Sequence, residues 1–203
     1  MLRSLPLGGQ SDTAAAVWNN AAFIAGDTQE IRAFDLSTGA GLWAAETHGP
    51  FDAAPLVRDG TLYAATMAGT ISALDTATGA VRWQTSVSAK GIAVTPALSA
   101  DGLLFVSCDD GFLHVVASQS GNLIRSKRVS AAPLRSSPVC SGHTVFAGAD
   151  DGILYSLDAD YVVRRAYETS PGTRLGTAGP ALYGEYVIAA ATNGVLYVLQ
   201  ATV

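Results

Sequence analysis

The chain has little of what most enzymes, metal sites and nucleic-acid binders use. Its two cysteines, Cys108 and Cys140, show no C-x-x-C spacing, so neither a zinc cage nor a disulfide framework is expected. They fall near the ends of a second and a first strand, toward opposite faces, and are read as small apolar groups. The three histidines, His48, His114 and His143, occupy different places: a connection, a third strand and a turn. Three imidazoles so placed do not converge on a metal or a nucleophile. No Gly-x-Ser-x-Gly elbow or phosphate-cradling glycine loop occurs, so no catalytic residue and no cofactor is expected. Charged residues make up only 14% and the net charge is −5, which gives no basic field to attract nucleic acid. No apolar run reaches the length of a membrane span. The opening Met1-Leu-Arg-Ser-Leu-Pro-Leu-Gly-Gly lacks a sustained apolar segment and does not read as a signal peptide. With Met1 taken as the native start, a cytoplasmic chain is expected.

What the chain does have is a repeat. The segments Glu30-Ile-Arg-Ala-Phe-Asp35, Thr70-Ile-Ser-Ala-Leu-Asp75, Phe112-Leu-His-Val-Val116, Ile153-Leu-Tyr-Ser-Leu-Asp158 and Val195-Leu-Tyr-Val-Leu-Gln200 are copies of one pattern. Their sixth positions are Asp35, Asp75, Ala117, Asp158 and Gln200, spaced 40, 42, 41 and 42 residues apart. Pro55, Pro96, Pro138 and Pro180 keep the same beat. So do Phe23, Tyr63, Phe105, Phe146 and Ile188. A period near forty with several short strands per unit predicts a propeller rather than a helical solenoid.

Each unit reads as four strands joined by tight turns. Asp59-Gly60, Asp101-Gly102, Asp110-Gly111, Asp151-Gly152 and Asn193-Gly194 supply the positive φ that short hairpins need. In the Asp-x-x-x-Gly turns, Asp35 to Gly39 and Asp75 to Gly79, the carboxylate is expected to accept backbone N–H bonds and the glycine to turn left-handed. Hydrophobic residues at 49% fit strands packed on both faces.

The pattern Gly-x-Ile/Leu-x-Ala-Leu-Asp-x-x-Thr-Gly-x-x-x-Trp, clearest where Gly39, Gly79, Trp43 and Trp83 fall, resembles the PQQ-like β-propeller repeat. Ala117 and Arg125 depart from it in the third unit, Val162 and Ala166 in the fourth. That family includes quinoprotein alcohol dehydrogenases, the lipoprotein of the outer-membrane β-barrel assembly machinery and the propeller tails of some adenylate-forming enzymes. The resemblance implies an all-β propeller of about five four-stranded blades. Quinone-binding members hold the quinone over calcium, typically with a vicinal disulfide, and adjacent cysteines are absent here.

One propeller domain over 1–203 is expected, with blades at about 12–50, 51–90, 91–131, 132–172 and 173–203. Residues 1–6 align with an outer strand, and the last unit supplies only three. They either close the ring by pairing with the last blade or are the tail of a preceding blade. Trp43 and Trp83 are expected to pack between neighbouring blades.

The hairpins between second and third strands are expected on one face with the blade connections. That face gathers Asp27, Asp109, Asp110, Asp150 and Asp151. Turn chemistry accounts for the aspartate beside each glycine, but not for Asp109 and Asp150; an acidic rim for a basic partner is the other reading. The pairs offer too few oxygens for a calcium loop, so no metal is expected. Of the basic residues Arg125, Lys127, Arg128, Arg135, Arg164, Arg165 and Arg174, several are assigned to outer strands, where charge discourages edge pairing. The function expected is a non-catalytic, monomeric scaffold binding a protein or peptide. The alternative is the propeller portion of a larger enzyme.

Overall fold

The computed structural model describes residues 10, 11, 13–26, 29–175 and 179–200. The segment 1–6 proposed as an outer strand lies outside them, as does Asp27. Among the described residues every regular element is a strand, and nineteen strands form five antiparallel sheets.

The chain divides into two compact units, Met1–Thr95 and Pro96–Val203. The first holds sheet 1, made of β1 (Ala16–Trp18), β2 (Ala21–Ala25), β3 (Glu30–Asp35) and β4 (Gly41–Glu46). It also holds sheet 2, of β5 (Leu56–Arg58), β6 (Thr61–Ala65), β7 (Thr70–Asp75) and β8 (Val81–Ser86). The second unit opens with sheet 3: β9 (Ala97–Leu98), β10 (Leu103–Ser107), β11 (Phe112–Ala117) and β12 (Leu123–Arg128). Sheet 4 follows with β13 (Val139–Ser141), β14 (Thr144–Gly148), β15 (Ile153–Leu157) and β16 (Val163–Glu168). Sheet 5 has β17 (Ala181–Tyr183), β18 (Tyr186–Ala190) and β19 (Leu196–Gln200). Every sheet is a simple meander in chain order, because each turn is too short to do anything but reverse the strand.

The near-continuous apolar character of the middle strands follows from burial on both faces. In β14, Val145 and Ala147 join Phe105, Leu113 and Val115 of sheet 3 in one core, while Phe146 joins Val187 and Ala189 of sheet 5 in another. In the first unit Phe23, Ile31 and Ala33 of sheet 1 pack with Leu62, Ala64 and Leu74 of sheet 2. The outer strands β4, β8, β12 and β16 are largely exposed instead, which is where Arg125, Lys127, Arg128, Arg164 and Arg165 lie.

The Asp-to-Gly turns form as expected, and that of Asp75 joins sheet 2 to sheet 1. Asp75 Oδ1 accepts from the N–H groups of Ala77 and Thr78 at 2.9 and 3.0 Å, and Gly79 takes φ +74°. Arg82 on Asp75 Oδ2, with the Thr78 hydroxyl and these amides, holds the Asp75 carboxyl down at about 2. Trp43 of sheet 1 packs flat on this turn and donates from Nε1 to the Thr76 carbonyl at 3.0 Å. A Cβ at Gly79 would come within 2.7 Å of the Trp43 ring. The first tryptophan thus packs against the neighbouring sheet. In the second unit the same junction is made with other chemistry. Arg125, at the tryptophan position, stacks its guanidinium 4.8 Å from the Tyr161 ring centroid. Tyr161, not the aligned Val162, takes the left-handed place with φ +60°, because this turn is one residue shorter.

Gly79→Ala combines a left-handed alanine, about 1–2 kcal/mol, with overpacking of about 1–3 kcal/mol, so a loss of roughly 2–5 kcal/mol is expected by chemical denaturation. Gly60→Ala, at φ +73° and with its nearest neighbour 3.8 Å away, should show the strain of about 1–2 kcal/mol alone. Equal losses at the two sites would remove the tryptophan junction from the account.

Candidate interaction site on the hairpin row

In the second unit the turns between second and third strands are tied to the connections that enter and leave each sheet. The Gly111 carbonyl accepts from the N–H groups of Val129 and Ser130 at 3.0 and 3.2 Å. Cys108 O accepts from Leu134 N at 3.1 Å, and Pro133 O accepts from Asp150 N at 2.9 Å. The pattern repeats one sheet on, where Thr169 N and Oγ1 donate to Gly152 O at 3.0 and 2.8 Å, and Thr192 N donates to Arg174 O at 3.0 Å. A side chain at Gly111 would collide with the carbonyls of Ser130 and Ala132, and one at Gly152 with that of Thr173. Both glycines lie at positive φ, +80° and +82°, so this close backbone approach requires glycine twice over. Hairpins and connections therefore form one hydrogen-bonded row.

Four of the row's charged side chains pair with one another. Arg135, on the connection from sheet 3 to sheet 4, donates from Nε and Nη2 to the two oxygens of Asp109 at 3.0 and 2.8 Å. Its Nη1 stands 3.7 Å from Asp150 Oδ2, and Arg174 Nη1 reaches the same oxygen at 3.9 Å. The carboxylates are only about 15% exposed, against 43% for Arg135 and 62% for Arg174. The sequence Asp109, Arg135, Asp150, Arg174 is thus a chain of alternating charge with the guanidinium groups outermost.

Asp110 and Asp151 serve their turns. Asp110 Oδ1 accepts from Phe112 N at 2.9 Å, and Asp151 Oδ1 accepts from Ile153 N at 3.0 Å. Their second oxygens face the strand residue four positions on. Asp110 Oδ2 lies 3.3 Å from His114 Nε2, while Asp151 Oδ2 accepts from Tyr155 Oη at 2.8 Å and also from Ser130 Oγ. Burial lowers the pKa of His114 from its ordinary value, opposed by the Asp110 charge, and burial raises that of the Tyr155 hydroxyl. Neither cysteine is joined in a disulfide, and burial with the Asp101 charge pushes the Cys140 thiol up to about 11.

The structure therefore brings Asp109 and Asp150 together through Arg135, with Arg174 on the far side of Asp150, and sets Asp110 and Asp151 into their own hairpins. The sequence reading missed Arg135 and Arg174 as partners of these aspartates. It grouped them with the outer-strand cations, although neither lies on an outer strand. Asp109→Asn should leave Arg135 with a weaker acceptor and cost about 0.2–1 kcal/mol of stability, the range for an ion pair near the surface. Arg135→Met in the same background should then cost little more. Full additivity of the two changes in a double-mutant cycle would show that the pair is not formed.

Comparison with known proteins adds family information. A family model described as outer membrane protein assembly factor BamB matches residues 67–202. BamB of Moranella endobia (strain PCIT) is 27% identical over 153 residues, covering 68% of this chain and 39% of its own. BamB of Legionella pneumophila (strain Paris) is 29% identical over 147 residues, covering 72% and 37%. The chain thus spans about two fifths of the length of the curated relatives it matches. Among solved structures, BamB from Moraxella catarrhalis has a TM-score of 0.78 at 22% identity, over 96% of this chain and 60% of that one. The computationally designed Ika8 protein has a TM-score of 0.80 at 16% identity, over 92% and 57%. These likenesses show the fold, and the sheets are blades of a β-propeller. The cytoplasmic expectation is overturned, since the curated relatives are outer membrane protein assembly factors. It rested on taking Met1 as the native start, and a chain that matches only part of its relatives carries no such information.

Proposed function

We propose a function from one premise: the chain belongs to the BamB-like family of PQQ-like-repeat propellers. It is a non-catalytic scaffold that binds a protein chain on the hairpin row, in the service of outer membrane protein assembly. The observation that carries this reading is the alternating charge chain of Asp109, Arg135, Asp150 and Arg174, held on a row whose backbone is hydrogen-bonded on both sides. A site whose side chains are already ordered loses less entropy on binding than one assembled from free loops.

The arginines refine the kind of partner. A rim of bare aspartates would select a basic peptide. Here the two carboxylates are covered by guanidinium groups, so the partner best matched presents charges of both signs, with its own carboxylates reaching Arg135 and Arg174. Guanidinium groups are well suited to this exchange because they grip carboxylates with two parallel bonds and are weakly hydrated.

A photo-crosslinking amino acid in place of Ala131, an exposed residue on the connection beside Gly111, should capture an envelope protein in the source cells. The same probe in place of Ile124, on an exposed outer strand, should not. Capture from Ile124 alone, equal capture from both, or none from Ala131 would contradict the assignment of the partner face.

A further inference from the structure

The third repeat carries a grouping that the others lack. Cys108 follows directly on β10, Asp110 makes the turn and His114 stands on β11, and their sulfur, oxygen and nitrogen ligand atoms all lie within 4.8 Å of one another. The corresponding residues are Ala149, Asp151 and Tyr155 in the fourth repeat and Ala191, Asn193 and Tyr197 in the fifth. In those repeats the turn residue and the tyrosine simply hydrogen-bond, Asp151 with Tyr155 at 2.8 Å and Asn193 with Tyr197 at 2.9 Å. A turn-to-strand polar pair is thus the ordinary furniture of this hairpin. Only the third repeat turns the pair into imidazole and carboxylate and adds a thiol.

We propose that Cys108, Asp110 and His114 form a binding site for one divalent transition ion of the zinc class, with a solvent molecule as fourth ligand. A thiolate, an imidazole and a carboxylate make a borderline-soft set that suits zinc or cobalt rather than calcium or magnesium. Bond lengths of about 2.0 Å to nitrogen or oxygen and about 2.3 Å to sulfur in a tetrahedral site put ligand atoms about 3.3–3.5 Å apart, so the present cluster needs to contract by about 1.3 Å at most. The Asp110 Oδ2 to His114 Nε2 separation, 3.3 Å, already has that value.

The surroundings hold the ligands in place. Asp110 Oδ1 is tied to Phe112 N, which turns Oδ2 toward the imidazole. The far ring nitrogen, His114 Nδ1, lies 2.8 Å from Ser126 Oγ on β12. In the bound form Nδ1–H donates to that hydroxyl and leaves the Nε2 lone pair for the ion, the outer-partner arrangement usual for metal-binding histidines. The backbone of Cys108 is fixed by its own N–H to Phe112 O and by its carbonyl to Leu134 N. Cys108 and His114 are buried and the Asp110 side chain is 22% exposed, so the ion enters from the turn. Binding displaces the thiol proton of Cys108 to solvent, and the carboxylate and thiolate together balance the charge of the ion.

The test uses the intact chain, stripped with chelator and reduced, and titrated with Co²⁺. One equivalent should bind and produce a thiolate-to-cobalt charge-transfer band, which Zn²⁺ then displaces. Cys108→Ala should abolish the band, and His114→Gln should weaken cobalt binding by about 100-fold or more, beyond the range seen when an outer partner is lost. Cys140→Ala should change neither. The Cys108 substitution has a built-in precedent for folding, because alanine fills that place in the next two repeats. Absence of the band in the unaltered chain, its survival in Cys108→Ala, its loss in Cys140→Ala, or unchanged affinity in His114→Gln would overturn the site.

Discussion

The close approach of backbone to backbone at one glycine in each of the second, third and fourth repeats is the constraint on which the rest depends. At Gly69, Gly111 and Gly152 the turn between second and third strands lies directly against the carbonyls of the segment leaving the same sheet. The carbonyl of each glycine accepts amide bonds from that segment. Contact at this range excludes any Cβ, and the left-handed φ excludes most side chains again. The same hydrogen bonds fix where the chain must go next, so the turn that ends one hairpin also aims the connection to the following sheet.

That arrangement separates what must be kept from what is free to vary. The glycine and the residue that bonds across the turn are committed to structure, as Asp110 and Asp151 show. The residue before them is not, and it is there that Asp109 and Asp150 stand. A charged side chain placed there meets the connection beside it, which in this chain supplies Arg135 and Arg174. Structure and site thus occupy neighbouring positions of one hairpin, and a functional row can change without disturbing the fold beneath it.

Much of this was legible in the sequence. The forty-residue beat, the Asp-to-Gly turns and the apolar middle strands follow from period, turn chemistry and hydrophobic pattern, which are local properties. The pairing of Asp109 with Arg135 was not, because it joins a hairpin to a connection twenty-six residues on and depends on where that connection runs. Nor was the Tyr161 turn, whose shortening by one residue hides behind an intact alignment of the flanking strands. The grouping of Cys108, Asp110 and His114 was not legible either, because no motif of like residues marks it and a hairpin brings together unlike residues two and six apart.

The central claim is that the hairpin row is a rigid platform and not a set of free loops. Native-state hydrogen exchange of the Val129, Leu134, Asp150 and Thr169 amides tests it most directly, since each donates to a carbonyl across the row. The account predicts protection close to that of amides in β10 and β11, because opening any one bond requires the backbone contact at the glycine to part. Exchange at the rate of unprotected loop amides, with the strands still protected, would contradict it.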